Sequence, residues 1–164
     1  MERVEIVRGP ASSAWGSALG GVINVITKSG GGATRGTAGL DAGEHNSWDG
    51  RAEVAGAAGP VGYYLYAGRL ESDGLGDGRY IESNSFYGKA DLPLGRDARL
   101  TLTAGGSDPS CKYGDYPEFD LSSTGSSRAL FGTLSLEAPL APALSFRASL
   151  YGISQENEIG RAHV

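Results

Sequence analysis

MERVEIVRGPASSAWGSALGGVINVITK, residues 1–28, is the stretch on which the fold turns. Its first eight residues alternate as a strand does, with Val4 and Ile6 on one face and Arg3, Glu5 and Val7 on the other. Gly9-Pro10 stops that strand, because proline supplies no ladder donor. Pro10 to Trp15 suits one short helical turn. Gly20-Gly21 then leads into GVINVITK, whose β-branched residues predict a strand buried on both faces. Ser29 to Gly32 reads as a flexible joint, and a domain boundary is placed there, between residues 1–32 and 33–157.

Beyond the joint the pattern becomes a series of short alternating strands. Trp48, Ala52 and Val54 oppose Asp49, Arg51 and Glu53; Phe86, Ala90 and Leu92 oppose Tyr87, Lys89 and Asp91. Leu100, Leu102 and Ala104 oppose Arg99, Thr101 and Thr103 in the same way. Leu130, Leu134 and Leu136 oppose Thr133, Ser135 and Glu137, and Leu144, Phe146, Ala148 and Leu150 oppose Ser145, Arg147, Ser149 and Tyr151. About seven strands can be counted after the joint. Tight turns fall at 59–62, 95–97 and 141–143, and longer polar loops at 72–81 and 105–126. Short and long connections in turn mark an outer-membrane barrel. A soluble antiparallel sandwich would also alternate its faces, with the charged face toward solvent. In a wide barrel the charged face would be the lumen.

Composition narrows the classes. The chain carries 27 glycines among 164 residues without a three-residue period, which excludes collagen and suits small-faced strands with glycine turns. The net charge of −5 argues against nucleic acid, whose phosphates need a basic face. Cys111 is the only cysteine, so no disulfide forms within the chain. No run of about 18 apolar residues marks a membrane helix, which leaves a membrane β-barrel open. The N-terminus begins with charges and is not a signal peptide.

The opening stretch resembles the plug-domain segment of TonB-dependent outer-membrane receptors. The resemblance rests on ERVEIVRGP with Glu5, Arg8, Gly9 and Pro10, then Ser12, the pair Trp15-Gly16, Ala18, Gly20-Gly21 and VINVITK with Asn24. Tyrosine is usual where Trp15 stands, and a larger aliphatic where Ala14 stands. The resemblance implies an all-β chain: the C-terminal part of a plug, then the first strands of a plugged antiparallel transmembrane barrel of about 22 strands. It implies a bacterial outer-membrane location and, outside this chain, a signal peptide, a segment gripped by the energy-coupling protein TonB, the first part of the plug and the remaining barrel. The activity implied is energy-coupled uptake of a scarce nutrient by a monomer set in outer-membrane lipid. An iron-siderophore or cobalamin is the expected ligand, a metal chelate in either case. The rivals, a passive porin or an extracellular β-sandwich adhesin, have no plug segment of this form.

Site residues can be weighed in the same way. Gly16 to Gly21 lacks the Gly-Lys-Ser/Thr ending and following helix of a phosphate loop, so close backbone packing is its expected role. Arg8 and Glu5, with Arg3 and Glu2, are expected to pair with the barrel wall. In the loop 71–80, Asp73 and Asp77 offer oxygens to calcium, although EF-hand spacing is not met. Tyr80 in that loop, and Tyr113, Tyr116 and Phe119 in the next, stand beside acids, which suits either ligand contact or anchoring at the bilayer interface. No Ser-His-Asp or Cys-His spacing suggests catalysis, so no enzyme activity and no cofactor is expected, and His45 reads as a solvated loop residue.

The last residues, 158–164, carry a different origin. Ile159 to Val164 is what ATC GGA AGA GCA CAC GTC encodes, the start of a common sequencing adapter. Natural sequence is expected to end near Asn157, and His163 carries no functional meaning.

Overall fold

A computed structural model describes residues 2–9, 20–74, 78–95, 97–116, 121–141 and 143–162. All the regular structure among them is antiparallel β, in two sheets. The small sheet pairs β1 (Arg3–Arg8) with β2 (Gly21–Ile26). Val4 lies opposite Val25 and Ile6 opposite Ile23, so one face is apolar up to Arg8 at its end, while Glu5 lies opposite Asn24 on the other. β2 is not buried on both faces as its composition predicts: Ile23 is 70% and Val25 51% exposed. The reason is architectural. A central strand needs neighbours and a covering layer, and among the described residues β2 has one partner strand and no layer over its apolar face.

The large sheet holds eight strands: β3 (Arg35–Ala42), β4 (Trp48–Ala58), β5 (Val61–Ser72), β6 (Tyr80–Leu94), β7 (Ala98–Ser107), β8 (Ser110–Tyr116), β9 (Leu121–Ala141) and β10 (Leu144–Ala162). Their order is β10-β9-β7-β6-β5-β4-β3, with β8 bridging β6 and β9 above the end of β7. This is one continuous sheet, with none of the face-to-face pairing of two sheets that defines a sandwich. Both its outer strands, β3 and β10, have a free edge.

β8 is the strand that the residue pattern hides. Residues 105–126 read as a polar loop, yet β7 continues to Ser107 and β9 begins at Leu121, with β8 between. Alternation reveals a strand only when one face is apolar. Here Ser110, Lys112 and Asp115 are mixed with Cys111 and Tyr113, a register shift between Lys112 and Gly114 breaks the alternation, and only the backbone ladder declares the strand. β10 likewise pairs through Ala162, opposite Ser122, beyond the expected native end near Asn157.

Every expected face is kept. Register aligns Glu53, Tyr66, Tyr87, Gly105 and Phe131 on one face of adjacent strands, and Ala52, Ala67, Phe86, Gly106 and Leu130 on the other. The second face is apolar from the short turns upward, through Leu100, Leu102, Leu134, Leu136 and Leu150. The short turns, at 59–60, 95–97 and 142–143, share one end of the sheet; the longer connections, at 43–47 and 73–79, and the excursion from β7 through β8 to β9 share the other. Gly59 adopts φ +59°, the conformation that a two-residue hairpin needs at its first turn position.

Candidate functional site where the connecting segment crosses the large sheet

The polar face gathers the charged and hydroxyl side chains that alternation puts there, and the segment joining the two sheets, residues 27–34, lies across it. Tyr87 of β6 donates its hydroxyl to Thr27 Oγ1 at 2.8 Å. Lys28 Nζ donates to Glu53 Oε1 of β4 at 2.5 Å, and Lys89 Nζ of β6 donates to Ser29 Oγ at 2.9 Å. Thr34 Oγ1 and the Tyr63 hydroxyl share a hydrogen bond of 2.8 Å on the opposite face, where the segment passes into β3. Three consecutive side chains, Thr27, Lys28 and Ser29, are each tied to a strand of the wall.

Glu53 is the centre of this arrangement. Besides Lys28 it accepts from the Tyr64 hydroxyl at 2.7 Å and from Thr37 Oγ1 at 3.2 Å, so donors from β3, β5 and the segment converge on one carboxylate. The segment covers Tyr64, which at 5% exposure is the one buried large hydrophobic residue among the described residues. Lys89 also lies 4.0 Å from Asp91, both side chains being 14% exposed, and Thr101 donates to Asp91 at 2.7 Å. A cavity of about 520 Å³ opens beside the network, lined by Glu2, Lys28, Arg35, Thr37, Glu53 and Tyr64 among others.

Backbone contact reinforces the side chains. A Cβ on Gly30 would overlap the Tyr63 backbone, and one on Gly62 would lie 2.9 Å from the Gly30 carbonyl oxygen. Two glycines therefore let main chain rest on main chain where no side chain fits. Further along the same face an aromatic row crosses four strands, three of which supply its rings. The Tyr64 and Tyr87 rings are 6.0 Å apart and those of Tyr87 and Phe131 6.3 Å apart. Gly105 of the intervening β7 makes room, since a Cβ there would sit 2.6 Å from Phe131 Cζ.

The predicted site residues fall in three places. Glu5, Arg8, Gly9, Gly20, Gly21 and Asn24 belong to the small sheet and its ends; Pro10, Ser12, Trp15 and Gly16 lie outside the described residues. Glu5 accepts from Arg3 Nε at 2.8 Å and from Asn24 Nδ2 at 3.0 Å. The Arg3 guanidinium and the Asn24 amide hold its carboxyl below the usual carboxylate range. Arg3 and Glu5 pair within the hairpin, because residues two apart on one strand share a face. The bridging ion pair is instead Lys28–Glu53. Its sequence signal was slight: a lysine closing the apolar run, and an acid on a strand's polar face. Gly21 adopts φ +132°, and a Cβ there would meet the Val7 carbonyl oxygen at 2.5 Å, so close backbone packing accounts for this glycine.

At the long-loop end, Asp73 is held by the neighbouring loop: Asn46 Nδ2 donates to its carboxylate at 2.6 Å, and its amide donates to the His45 carbonyl at 2.9 Å. Asp77 and Phe119 lie outside the described residues, as does the side chain of Tyr116. Among the described residues no three His, Cys, Asp or Glu side chains converge as a metal site would need. Tyr80 sits on β6 opposite Lys112 of β8, and Tyr113 is exposed beside Gly125. Tyr80 and Tyr113 are thus brought to the same end of the sheet, and Asp73 to the same end through the 43–47 loop.

The fold is all-β and antiparallel, consistent with a section of a β-barrel wall that has a small sheet tied to its polar face. Among solved structures, the chain is similar to the pyoverdine outer membrane receptor FpvA from Pseudomonas aeruginosa PAO1 bound to pyoverdine. The TM-score is 0.62 at 18% identity, covering 98% of this chain and 31% of that one. The chain thus spans under a third of that receptor's length. No family model matches the chain, and no curated protein matches it.

Proposed function

We propose that the chain is a section of a TonB-dependent outer-membrane receptor that takes up a scarce nutrient against its gradient. Residues 1–32 are the C-terminal part of the plug and 33–157 the first strands of the barrel. The apolar face meets lipid and the polar face lines the lumen. The observation that carries this reading is the segment 27–34, which leads from a hairpin of plug-like sequence onto the polar face of an alternating wall. A plug inside a barrel requires that arrangement; a porin or an adhesin does not. The likeness to a siderophore receptor's fold supports an iron-siderophore as ligand ahead of cobalamin. TonB, pulling on a plug segment outside this chain, would supply the work. Ligand would be met by the plug and by the loops that bring Asp73, Tyr80 and Tyr113 to one end. We assign 158–164 to adapter-derived sequence; its ladder to β9 uses backbone groups, which any sequence supplies.

The test is uptake by cells carrying or lacking the complete gene, with iron chelates and cobalamin as labelled probes. Uptake that needs both the gene and the inner-membrane proton gradient is the expected result. Passage that persists after the gradient is collapsed would make the protein a passive pore.

A further inference from the structure

We infer that Thr27–Gly30 is a fixed anchor on the barrel wall, so that any movement of the plug ends at Ile26 and does not run on into the wall. The inference rests on the plug-and-barrel reading above and adds which bonds stop the motion.

Three observations carry it. The first is density of attachment. Thr27, Lys28 and Ser29 bond in succession to Tyr87, Glu53 and Lys89, at 2.8, 2.5 and 2.9 Å. The contacts alternate between β6 and β4, so the strap is tied on both sides of β5 and cannot swing about one strand. The second is the main-chain contact at Gly30, where the segment is pressed onto Gly62 and Tyr63 too closely for any side chain. The third is the contrast with what precedes it. Arg3 and Glu5 of the β1–β2 hairpin bond within it, Arg3 to Glu5 and Asn24 to Glu5, and Ile6 and Ile23 are 66% and 70% exposed. Among the described residues, load entering through the hairpin therefore meets its first side-chain ties to the wall at Thr27. Past the anchor, Gly31 and Gly32 adopt φ +153° and +68°, turning the chain into β3.

Glu53 is the catch. Its carboxylate is held in place by Tyr64 and Thr37 from two different strands, so it presents a preset oxygen to Lys28.

The experiment is single-molecule pulling on the full-length receptor in outer-membrane patches, with a handle at the start of the plug. In the wild type, extension should halt at Lys28 before the wall unravels, and a second rupture should then release the seven residues to Arg35, roughly 25 Å of chain. Glu53→Gln combined with Lys89→Ala should merge the two steps into one. A wild type that pays out to Arg35 in a single step, or a double variant that keeps the separate rupture, would overturn the inference. Insertion of the variant is checked by heat-modifiable migration of the barrel, and Lys28→Gln alone, which leaves the wall untouched, should lower the force of the second rupture. None of these readouts needs a transported ligand. A receptor that shows the anchor but no energy-dependent uptake would refute the transport reading and leave the anchor standing.

Discussion

Lys28 Nζ and Glu53 Oε1 lie 2.5 Å apart, joining the end of the motif-bearing segment to the second strand of the wall across 25 residues of chain. The pair matters less as a charge contact than as the middle of three consecutive ties. Half-exposed ion pairs are individually weak, and geometry is what this one adds.

Replacing Glu53 with Ala should therefore expose the segment more than it unfolds the wall. Lys28 loses its acceptor, and Tyr64 and Thr37 lose theirs, while the backbone ladders of β4 are untouched. Trypsin cleavage after Lys28 in the membrane-embedded receptor should speed up severalfold, with cleavage in the long loops unchanged. Equal acceleration everywhere would mean that Glu53 serves the wall as a whole.

Gly30→Ala and Gly62→Ala should both destabilise, although each adds one methyl group. At 30 the new carbon overlaps the Tyr63 backbone, and at 62 it presses on the Gly30 carbonyl. Overpacking of this kind costs about 1–3 kcal/mol. Thermal unfolding of the complete receptor checks it, and Gly59→Ala offers a comparison, since a Cβ there meets no atom and the cost is only the turn's left-handed backbone.

The small sheet should weaken in acid. Glu5 has a lowered pKa, held down by Arg3 and then by Asn24. A carboxylate depressed on folding stabilises the folded form fully above its unfolded pKa of about 4.3, and that contribution is lost as pH falls through the lower folded value. Amide exchange in β1 and β2 should accelerate over that window, and Glu5→Gln should remove the pH dependence. An unchanged profile in the variant would assign the effect to other groups.

The chain as an isolated polypeptide should aggregate when expressed. Leu40, Leu150 and Ile153 are each at least 70% exposed, and the sheet carries two free edges. Exposed apolar strands with open edges pair with further copies. A soluble monomer that melts cooperatively would contradict the reading of the apolar face as lipid-facing.

The wall was legible in the residues because one of its faces is apolar. In the five segments at 48–54, 86–92, 99–104, 130–137 and 144–151, period-two alternation names the faces, and the registers agree. Where charged residues are mixed in and a bulge breaks the period the signal vanishes, which is why β8 was hidden inside an apparent loop. The anchor was illegible for a different reason. Thr27, Lys28 and Ser29 form no pattern of their own, and their partners lie 60, 25 and 60 positions away, so only the fold brings them together. Among the charges of β1, Arg3 and Glu5 pair with each other.

That separation also sets a sequence of events in time. Hairpins such as β4–β5 close over a two-residue turn and can form as soon as both strands exist. Thr27 and Ser29 must wait for Tyr87 and Lys89, sixty residues downstream, and closing so long a loop is slow while little is yet gained from it. The wall is thus a prerequisite for its own anchor, and the plug end is the last part to be moored.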